Sequence, residues 1–316
     1  MFAICIESSH ARGMGHLYRA LNLAAGLAAA AIPYKFYLND NAPSLQILKH
    51  RGVPHQVVNL ADLSSNWEAS LIRQDGITLW VNDRLDTDLR HAQIIRANAI
   101  PLVSFDDRGT GAALANLHIA ALAFDLQEPL AGQKLLTGLD YLILNPQISH
   151  NMRLRQKLSS ILVTMGGSDT YGVTIKVVQM LTAMNLKATI VLGPAFRHAD
   201  GLNAVLTENF TVKHAVPSLI AEFYRHDLAI TGGGVTPFEA NASGLPCVVI
   251  ANELHEVPTC IALQSLGGAL FVGHHAALLP PLFPLNLPLH QMSQSGMGIS
   301  RAGTARVISA LRELVP

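Results

Sequence analysis

A histidine and an arginine lie one helical turn apart directly after a glycine-rich segment near the start of the chain. The segment reads Gly13-Met14-Gly15-His16, and Arg19 follows three residues later. Glycines let the backbone approach a ligand closely, and the N–H groups at the start of a helix favour an anion. Residues three apart share a helix face. Because a helix N-terminus disfavours imidazolium, His16 is expected to be neutral and able to accept a proton.

This segment has two other interpretations. His16 could simply begin a helix, with Arg19 exposed to solvent. A dinucleotide site of the G-x-G-x-x-G type would need a third glycine where Tyr18 stands, although Asp40 is placed to serve as its ribose-binding acid. The pattern favours the catalytic interpretation over both.

Two further glycine-rich segments lie in the second half of the chain, each after a short apolar run. They read Gly166-Gly167-Ser168-Asp169 and Gly232-Gly233-Gly234-Val235-Thr236-Pro237-Phe238-Glu239. The first predicts either a backbone cradle for phosphate or a tight turn in which Ser168 or Asp169 caps a helix. In the second, Thr236 and Glu239 have the spacing of a capping box, with a proline at the first helical position. The functional alternative places a diphosphate on the preceding glycines and a ribose hydroxyl on Glu239.

Acidic residues follow apolar runs in the first half of the chain. The two segments read Asn82-Asp83-Arg84 and Asp106-Asp107-Arg108. Since ligands bind outside the carboxyl ends of the strands in open α/β sheets, these side chains are expected near one crevice. Paired carboxylates allow general acid and base catalysis when their surroundings separate their pKa values. The alternative, aspartates that cap turns in surface ion pairs, is favoured for at least one member of each pair.

Composition excludes several classes of protein. The 316 residues include 22 Lys+Arg and 22 Asp+Glu, and half are hydrophobic, which indicates a globular protein rather than a partner of nucleic acid or of anionic membranes. The most apolar stretch, residues 21–32, falls short of the ~20 residues that span a bilayer. The N-terminus lacks the features of a signal peptide. Three widely spaced cysteines predict no disulfide framework and favour a reducing cytoplasm.

The elements that position these residues follow an alternating pattern. Short apolar runs rich in Ile, Val and Phe are predicted as strands at residues 2–6, 35–38, 78–81, 102–105, 117–120, 161–165, 187–191, 228–231 and 247–250. They alternate with amphipathic segments, as in parallel sheets covered on both faces. These segments are predicted as helices at residues 16–30, 43–51, 87–97, 172–184, 217–224, 237–243, 258–266 and 300–314. The polar stretch at residues 145–158 interrupts the alternation. The chain is therefore predicted to be α/β with two Rossmann-like, doubly wound domains at 1–148 and 149–295. Residues 296–316 are predicted to form a C-terminal helix that packs back on the first domain. No ligand spacing predicts a metal or cofactor, and no G-x-S-x-G predicts a serine nucleophile.

Together, the motifs resemble a known superfamily. The residues that carry the resemblance are the opening Gly13, Gly15, His16 and Arg19, then Ser104-Phe105-Asp106-Asp107, Met165-Gly166-Gly167-Ser168-Asp169, and Glu239-Ala240 with Gly244-Leu245-Pro246. Over about residues 1–270 the chain resembles UDP-sugar hydrolases of the pseudaminic acid pathway. Its second half is similar to the N-acetylglucosaminyltransferases that complete lipid II. Both belong to the glycosyltransferase-B superfamily, in which two Rossmann-like domains face a cleft.

The resemblance implies roles for particular residues. His16 matches the histidine that acts on the attacking water, residues 166–169 and 233–236 match segments along the diphosphate, and Glu239 matches the ribose-binding glutamate. Arg84 stands where the hydrolases have a tyrosine, in Asn82-Asp83-Arg84-Leu85 against their Asp-His-Tyr-Gly. The paired glutamines of the transferases are not evident near residues 258–260.

The sequence therefore predicts an enzyme that releases nucleotide, with UDP favoured, from a nucleotide sugar. Hydrolysis leads, with His16, Arg19, Asp83 and Arg84 as catalytic residues and Asp106 and Asp107 at the sugar. Transfer to an acceptor and non-catalytic binding of the nucleotide sugar are the alternatives. The sequence does not predict an oligomeric state.

Overall fold

The computed structural model describes residues 1–8, 14–123, 129–214 and 216–315. These residues form two compact α/β units. The first unit contains residues 1–8, 16–123, 129–143 and 302–315, and the second contains residues 14–15, 144–214 and 216–301. The chain therefore returns to the first unit at its carboxyl end. Gly13 lies outside the described residues.

The first unit is built on a parallel sheet. Its described strands are β1 (Phe2–Ile6), β2 (Tyr34–Leu38), β3 (His55–Val57), β4 (Leu79–Asp83), β5 (Leu102–Phe105), β6 (Leu117–Ala120) and β7 (Leu135–Thr137). They lie in the order β3-β2-β1-β4-β5-β6-β7. Every residue of β1 and β4 is buried, as expected for the centre of a parallel sheet covered on both faces.

The second unit repeats this plan. Its described strands are β8 (Ile161–Thr164), β9 (Ala188–Leu192), β10 (Phe210–His214), β11 (Leu228–Gly232), β12 (Cys247–Ala251) and β13 (Ala269–His274). Their order is β10-β9-β8-β11-β12-β13. Val163, Ile190, Ile230 and Val248 are fully buried in the core of this unit.

The α-helices of the described residues mostly connect strands, and the last two follow β13. They are α1 (Gly15–Ala29), α2 (Ala42–His50), α3 (Trp67–Asp75), α4 (Leu89–Ala97), α5 (Val173–Ala183), α6 (Ala199–Asn203), α7 (Leu219–Arg225), α8 (Thr236–Ala242), α9 (Val257–Ser265), α10 (Leu289–Met297) and α11 (Gly303–Arg312). Helix α11 packs on α1, where a Cβ on Gly26 would lie 2.7 Å from Ile308 Cδ1. Only glycine allows this approach without displacing Ile308. None of the helices in the described ranges is long and apolar enough to cross a lipid bilayer.

Strand order places the ligand-binding edge of each sheet. In a doubly wound sheet, ligands bind beyond the carboxyl ends of the strands where the order reverses. This point lies between β1 and β4 in the first unit, and between β8 and β11 in the second. The residues that follow these strands are therefore the first candidates for a functional site.

The inner strands follow the sequence pattern, but the edge strands do not. Strands β3, β7, β10 and β13 are the edges of the two sheets, and the sequence did not predict them. Their residues are mostly half-buried or exposed, so they lack the continuous apolar runs of the inner strands. Helices α3, α6 and α10 also went unpredicted.

Candidate active site

Four of the predicted site residues meet at the carboxyl edge of the first sheet. Asp83 is the last residue of β4, and Asp106 directly follows β5. His16 Nδ1 lies 2.5 Å from Asp83 Oδ1. Arg19 donates from Nε and Nη2 to the two carboxylate oxygens of Asp83, at 2.8 and 2.5 Å, and from Nη1 to Asp106. Arg19 therefore joins the two carboxylates.

The charges in this cluster stabilise one another. Burial alone would raise the pKa of Asp83, but Arg19 and His16 together lower that pKa to about 2. Burial opposes the charge of Arg19 as well, yet Asp83 and Asp106 raise the pKa of the guanidinium above its usual value. Asp83 is consequently a carboxylate, and Arg19 a cation, across the neutral pH range.

This arrangement fixes which nitrogen of His16 can act as a base. A carboxylate only accepts hydrogen bonds, so Nδ1 must carry the proton that it shares with Asp83. In a neutral imidazole the other nitrogen, Nε2, then has the free lone pair. The His16 side chain retains 10% exposure. An aspartate that orients a histidine and stabilises its protonated form is an arrangement of general-base catalysis.

Arg84 and Asp107 contact residues outside the cluster of His16, Arg19, Asp83 and Asp106. Arg84 is buried, and its Nε lies 3.7 Å from Glu7 Oε2. Glu7 directly follows β1, so its position after a buried strand was a signal that the sequence interpretation missed. Asp107 Oδ1 accepts from the backbone N–H groups of Thr87 and Gly109, each at 2.9 Å. Asp107 thus has the turn-stabilising role of the alternative interpretation, although it is buried rather than at the surface.

In the second unit, the first glycine-rich segment forms a turn with positive φ angles. Gly166 has φ +82° and Asp169 φ +44°. The Asp169 carboxylate accepts from the N–H groups of Val173 at 2.7 Å and Thr174 at 3.0 Å. These donors belong to the first turn of α5, so a phosphate at this turn would have to bind the segment from Gly166 to Ser168 instead.

The second glycine-rich segment precedes α8, and the predicted capping box is wrong there. Helix α8 starts at Thr236 itself, its N-cap is Val235, and no side-chain hydrogen bond caps it. Glu239 Oε1 instead accepts from the backbone N–H of Asn145 at 3.1 Å. The half-buried Glu239 and the preceding Gly233 and Gly234 lie just beyond β11, next to the reversal of strand order.

Residue types that bind metals are not clustered in the part of the chain that the structure describes. Among the described ranges, no group of three or more His, Cys, Asp or Glu residues is arranged to hold a metal ion. The buried thiols of Cys5, Cys247 and Cys260 are unpaired, and burial raises their pKa values above the usual thiol value. They are therefore protonated at neutral pH.

Comparisons with known proteins support the fold. No family model matches the chain. The spore coat polysaccharide biosynthesis protein SpsG of Bacillus subtilis (strain 168) is 23% identical over 337 aligned positions, covering 98% of this chain and 97% of the relative. MurG of Acinetobacter baumannii has 14% identity and a TM-score of 0.68, with 99% of each chain covered. Spinosyn rhamnosyltransferase SpnG complexed with thymidine diphosphate has 15% identity and a TM-score of 0.53, with coverage of 99% and 96%.

These likenesses define the fold class. Two doubly wound parallel-sheet units, aligned with MurG over nearly the whole chain, constitute a glycosyltransferase-B-like fold. The predicted fold class is confirmed.

Proposed function

We propose that this protein is an enzyme of polysaccharide biosynthesis that transfers a sugar from a nucleoside diphosphate sugar to an acceptor. The contact between His16 Nδ1 and Asp83 Oδ1, at 2.5 Å, carries the proposal. It assembles a general base at the edge of the sheet where ligands bind. The name of the relative SpsG supports the polysaccharide context. In the non-catalytic alternative, the same pair would be a structural ion pair.

The proposed reaction uses His16 as the base. Nε2 accepts the proton of the attacking hydroxyl while that oxygen bonds to the anomeric carbon of the sugar. The bond from the anomeric carbon to the diphosphate oxygen breaks, and the nucleoside diphosphate leaves with the electron pair. Asp83 stabilises the imidazolium that forms.

Arg19 has a different proposed role from the one expected from the sequence. All three of its guanidinium nitrogens already donate to Asp83 or Asp106. We therefore assign Arg19 to holding the two carboxylates rather than to stabilising the leaving diphosphate. The nucleotide is assigned to residues 166–168, 233–234, Thr236 and Glu239 of the second unit.

Transfer is placed ahead of hydrolysis for two reasons. The solved proteins that share the fold include named transferases such as SpnG. In addition, Arg84 replaces the tyrosine of the hydrolases, and a guanidinium neither accepts nor releases a proton near neutral pH. Hydrolysis remains the second candidate because His16 Nε2 would activate water as readily as a hydroxyl.

The experiment that tests this proposal screens UDP, CMP, GDP and dTDP sugars for nucleotide release, with products identified by mass. A transferase should release nucleotide slowly in water and much faster when an acceptor is added. If water is the nucleophile, reaction in ¹⁸O-labelled water without acceptor should be fast and should label the free sugar. Label in the nucleotide phosphate would mean attack at phosphorus and would exclude the proposed step. No release from any donor would favour the binding-protein alternative.

Glu239 offers a separate test of the nucleotide site. Glu239→Gln keeps an oxygen that can accept from Asn145 N–H but removes the charge proposed to hold the ribose. The affinity for the nucleotide should fall by about 1.5–3 kcal/mol, the range for a hydrogen bond to a charged group. Calorimetric titration measures this change, and the melting temperature should stay nearly constant. Lower stability with unchanged affinity would restrict Glu239 to the contact with Asn145.

A further inference from the structure

A chain of buried, hydrogen-bonded side chains runs behind the candidate active site in the first unit. It links α3, α4, β4 and β6 with the loops that follow β4 and β5. At most 2% of any of these residues is exposed to solvent. In order along the chain of contacts, its members are Glu68, His91, Asn82, Thr87, Asp107 and His118.

The first half of this chain centres on Asn82. His91 lies between Glu68 Oε1, 2.7 Å from its Nδ1, and Asn82 Oδ1, 3.2 Å from its Nε2. Trp80 Nε1 also donates to Asn82 Oδ1, at 2.9 Å. Because that oxygen only accepts, Nε2 of His91 must carry a proton. A second proton must then be shared between Nδ1 and Glu68.

The remaining hydrogen bonds of this series of side chains reach the loop after β5. Asn82 Nδ2 donates to Thr87 Oγ1 at 3.2 Å, and the backbone N–H of Thr87 donates to Asp107 Oδ1. The backbone N–H of Asp107 donates to His118 Nε2 at 3.0 Å. Nε2 of His118 is therefore an acceptor, and Nδ1 donates to the Ala131 carbonyl at 2.6 Å.

Two members of this chain are direct neighbours of the candidate catalytic carboxylates. Asn82 precedes Asp83, and Asp107 follows Asp106. Thr87 links Asn82 to Asp107 through its hydroxyl and its backbone N–H. These hydrogen-bonded side chains therefore connect the two backbone segments from which Asp83 and Asp106 reach Arg19.

Burying this chain of hydrogen-bonded side chains has a cost in the free energy of folding. Glu68 Oε2 and Asp107 Oδ2 are buried without a hydrogen-bond partner, and each such atom opposes folding. Apolar side chains of similar volume would avoid this penalty. Buried networks of this kind fix geometry, because their members have few alternative partners.

We propose that Glu68, His91, Asn82, Thr87, Asp107 and His118 form a positioning network that sets the separation of Asp83 and Asp106, and through it the orientation of His16. The proposal rests on the proposed function for its kinetic consequence only. Its geometric consequence, the state of the His16 ring, exists in the free protein.

Thr87 provides a matched pair of variants. Thr87→Val keeps the shape and the backbone N–H but removes the hydroxyl that accepts from Asn82 Nδ2. Thr87→Ser keeps the hydroxyl and removes only a methyl group. We expect Thr87→Val to lower kcat by about 10- to 100-fold, as for a small misplacement of catalytic groups, with the KM for the donor nearly unchanged. Thr87→Ser should keep kcat within about twofold of the wild type.

A spectroscopic measurement accompanies the kinetics. The ¹⁵N and ¹H resonances of the His16 ring report its hydrogen bond to Asp83. They should move in Thr87→Val and stay in place in Thr87→Ser, at equal fractions of folded protein. If both variants leave these resonances unchanged, or change them equally, the network is structural only and the proposal fails.

The two proposals fail separately in this design. If the wild type turns over no nucleotide sugar, the proposed function is wrong, and the His16 resonances still decide on the network. If the wild type is active and Thr87→Val keeps full kcat, the positioning role is wrong and the proposed function stands. Should Thr87→Val fail to fold, Trp80→Phe, which removes the other donor to Asn82 Oδ1, gives the same two measurements.

Discussion

Replacing His16 with Asn is expected to lower kcat by about 100-fold or more, because general-base catalysis contributes at least that much. Asparagine keeps a polar group that can contact Asp83 but has no nitrogen that accepts a proton at neutral pH. The affinity for the nucleotide should remain nearly unchanged, since the proposed nucleotide contacts lie in the second unit. Steady-state kinetics with the donor found in the nucleotide-sugar screen, and titration with the nucleotide, measure the two quantities.

Two further variants separate this interpretation from a general effect of substitution. His50 lies exposed in the last turn of α2, and His50→Asn makes the same change outside the proposed site, so its kcat should equal that of the wild type. Asp83→Asn removes the carboxylate that holds the Nδ1 proton, and it should also lower kcat strongly. Full turnover by His16→Asn would remove His16 from the mechanism.

The fold class could be predicted because the central strands of each sheet contain apolar runs that the sequence shows directly. Strands β1, β4, β8 and β11 are buried on both faces, so each contains a run of at least three consecutive apolar residues. Edge strands such as β3, with the sequence His-Gln-Val, are stabilised by backbone pairing with one neighbour and need no such run. The sequence therefore predicts the centre of each sheet and misses its edges.

The sequence predicted that Asp83 and Asp106 lie near one edge of a sheet, but it did not predict the contacts they make there. Asp83 ends β4 and Asp106 follows β5, and both are inner strands that the apolar pattern shows, whereas the position of the Arg19 guanidinium between them depends on where α1 packs. The same limit explains the capping-box error. Thr236 and Glu239 have the required spacing, but spacing does not tell whether Thr236 precedes the helix or belongs to it.

The sequence did not predict a role for Arg155, a charged residue in the core of the second unit. It is fully buried. Its guanidinium donates to the carbonyls of Phe223 and Ser243 at 2.5 and 2.6 Å, and to those of His226 and Arg153. Burial, followed by repulsion from Arg153, lowers the pKa of Arg155 to about 10, which leaves it charged at neutral pH.

These carbonyls explain why a cation is tolerated there. Phe223 lies in the last turn of α7, and Ser243 directly follows α8. The last carbonyls of a helix lack partners within the helix and carry partial negative charge. One guanidinium therefore supplies a second donor to carbonyls at the ends of two helices, each of which also accepts from a backbone N–H, and it does so without a carboxylate among the hydrogen bonds described above.

Replacing Arg155 with Met should consequently destabilise the protein by about 3 kcal/mol or more, because it removes several buried hydrogen bonds from a charged donor, each contributing about 1.5–3 kcal/mol. Methionine fills much of the volume, but the carbonyls of Phe223 and Ser243 keep only the backbone N–H groups of His226 and Arg153 as donors. Urea unfolding followed by circular dichroism measures the change, provided that the slope of the transition stays constant.

Arg153→Met is the matched control: it also removes hydrogen bonds to carbonyls and an ion pair with Asp227. Its side chain is 34% exposed, so water can replace those contacts and the loss should be about 1 kcal/mol. Equal losses in the two variants would mean that burial of the guanidinium between the helix ends is not what stabilises this unit.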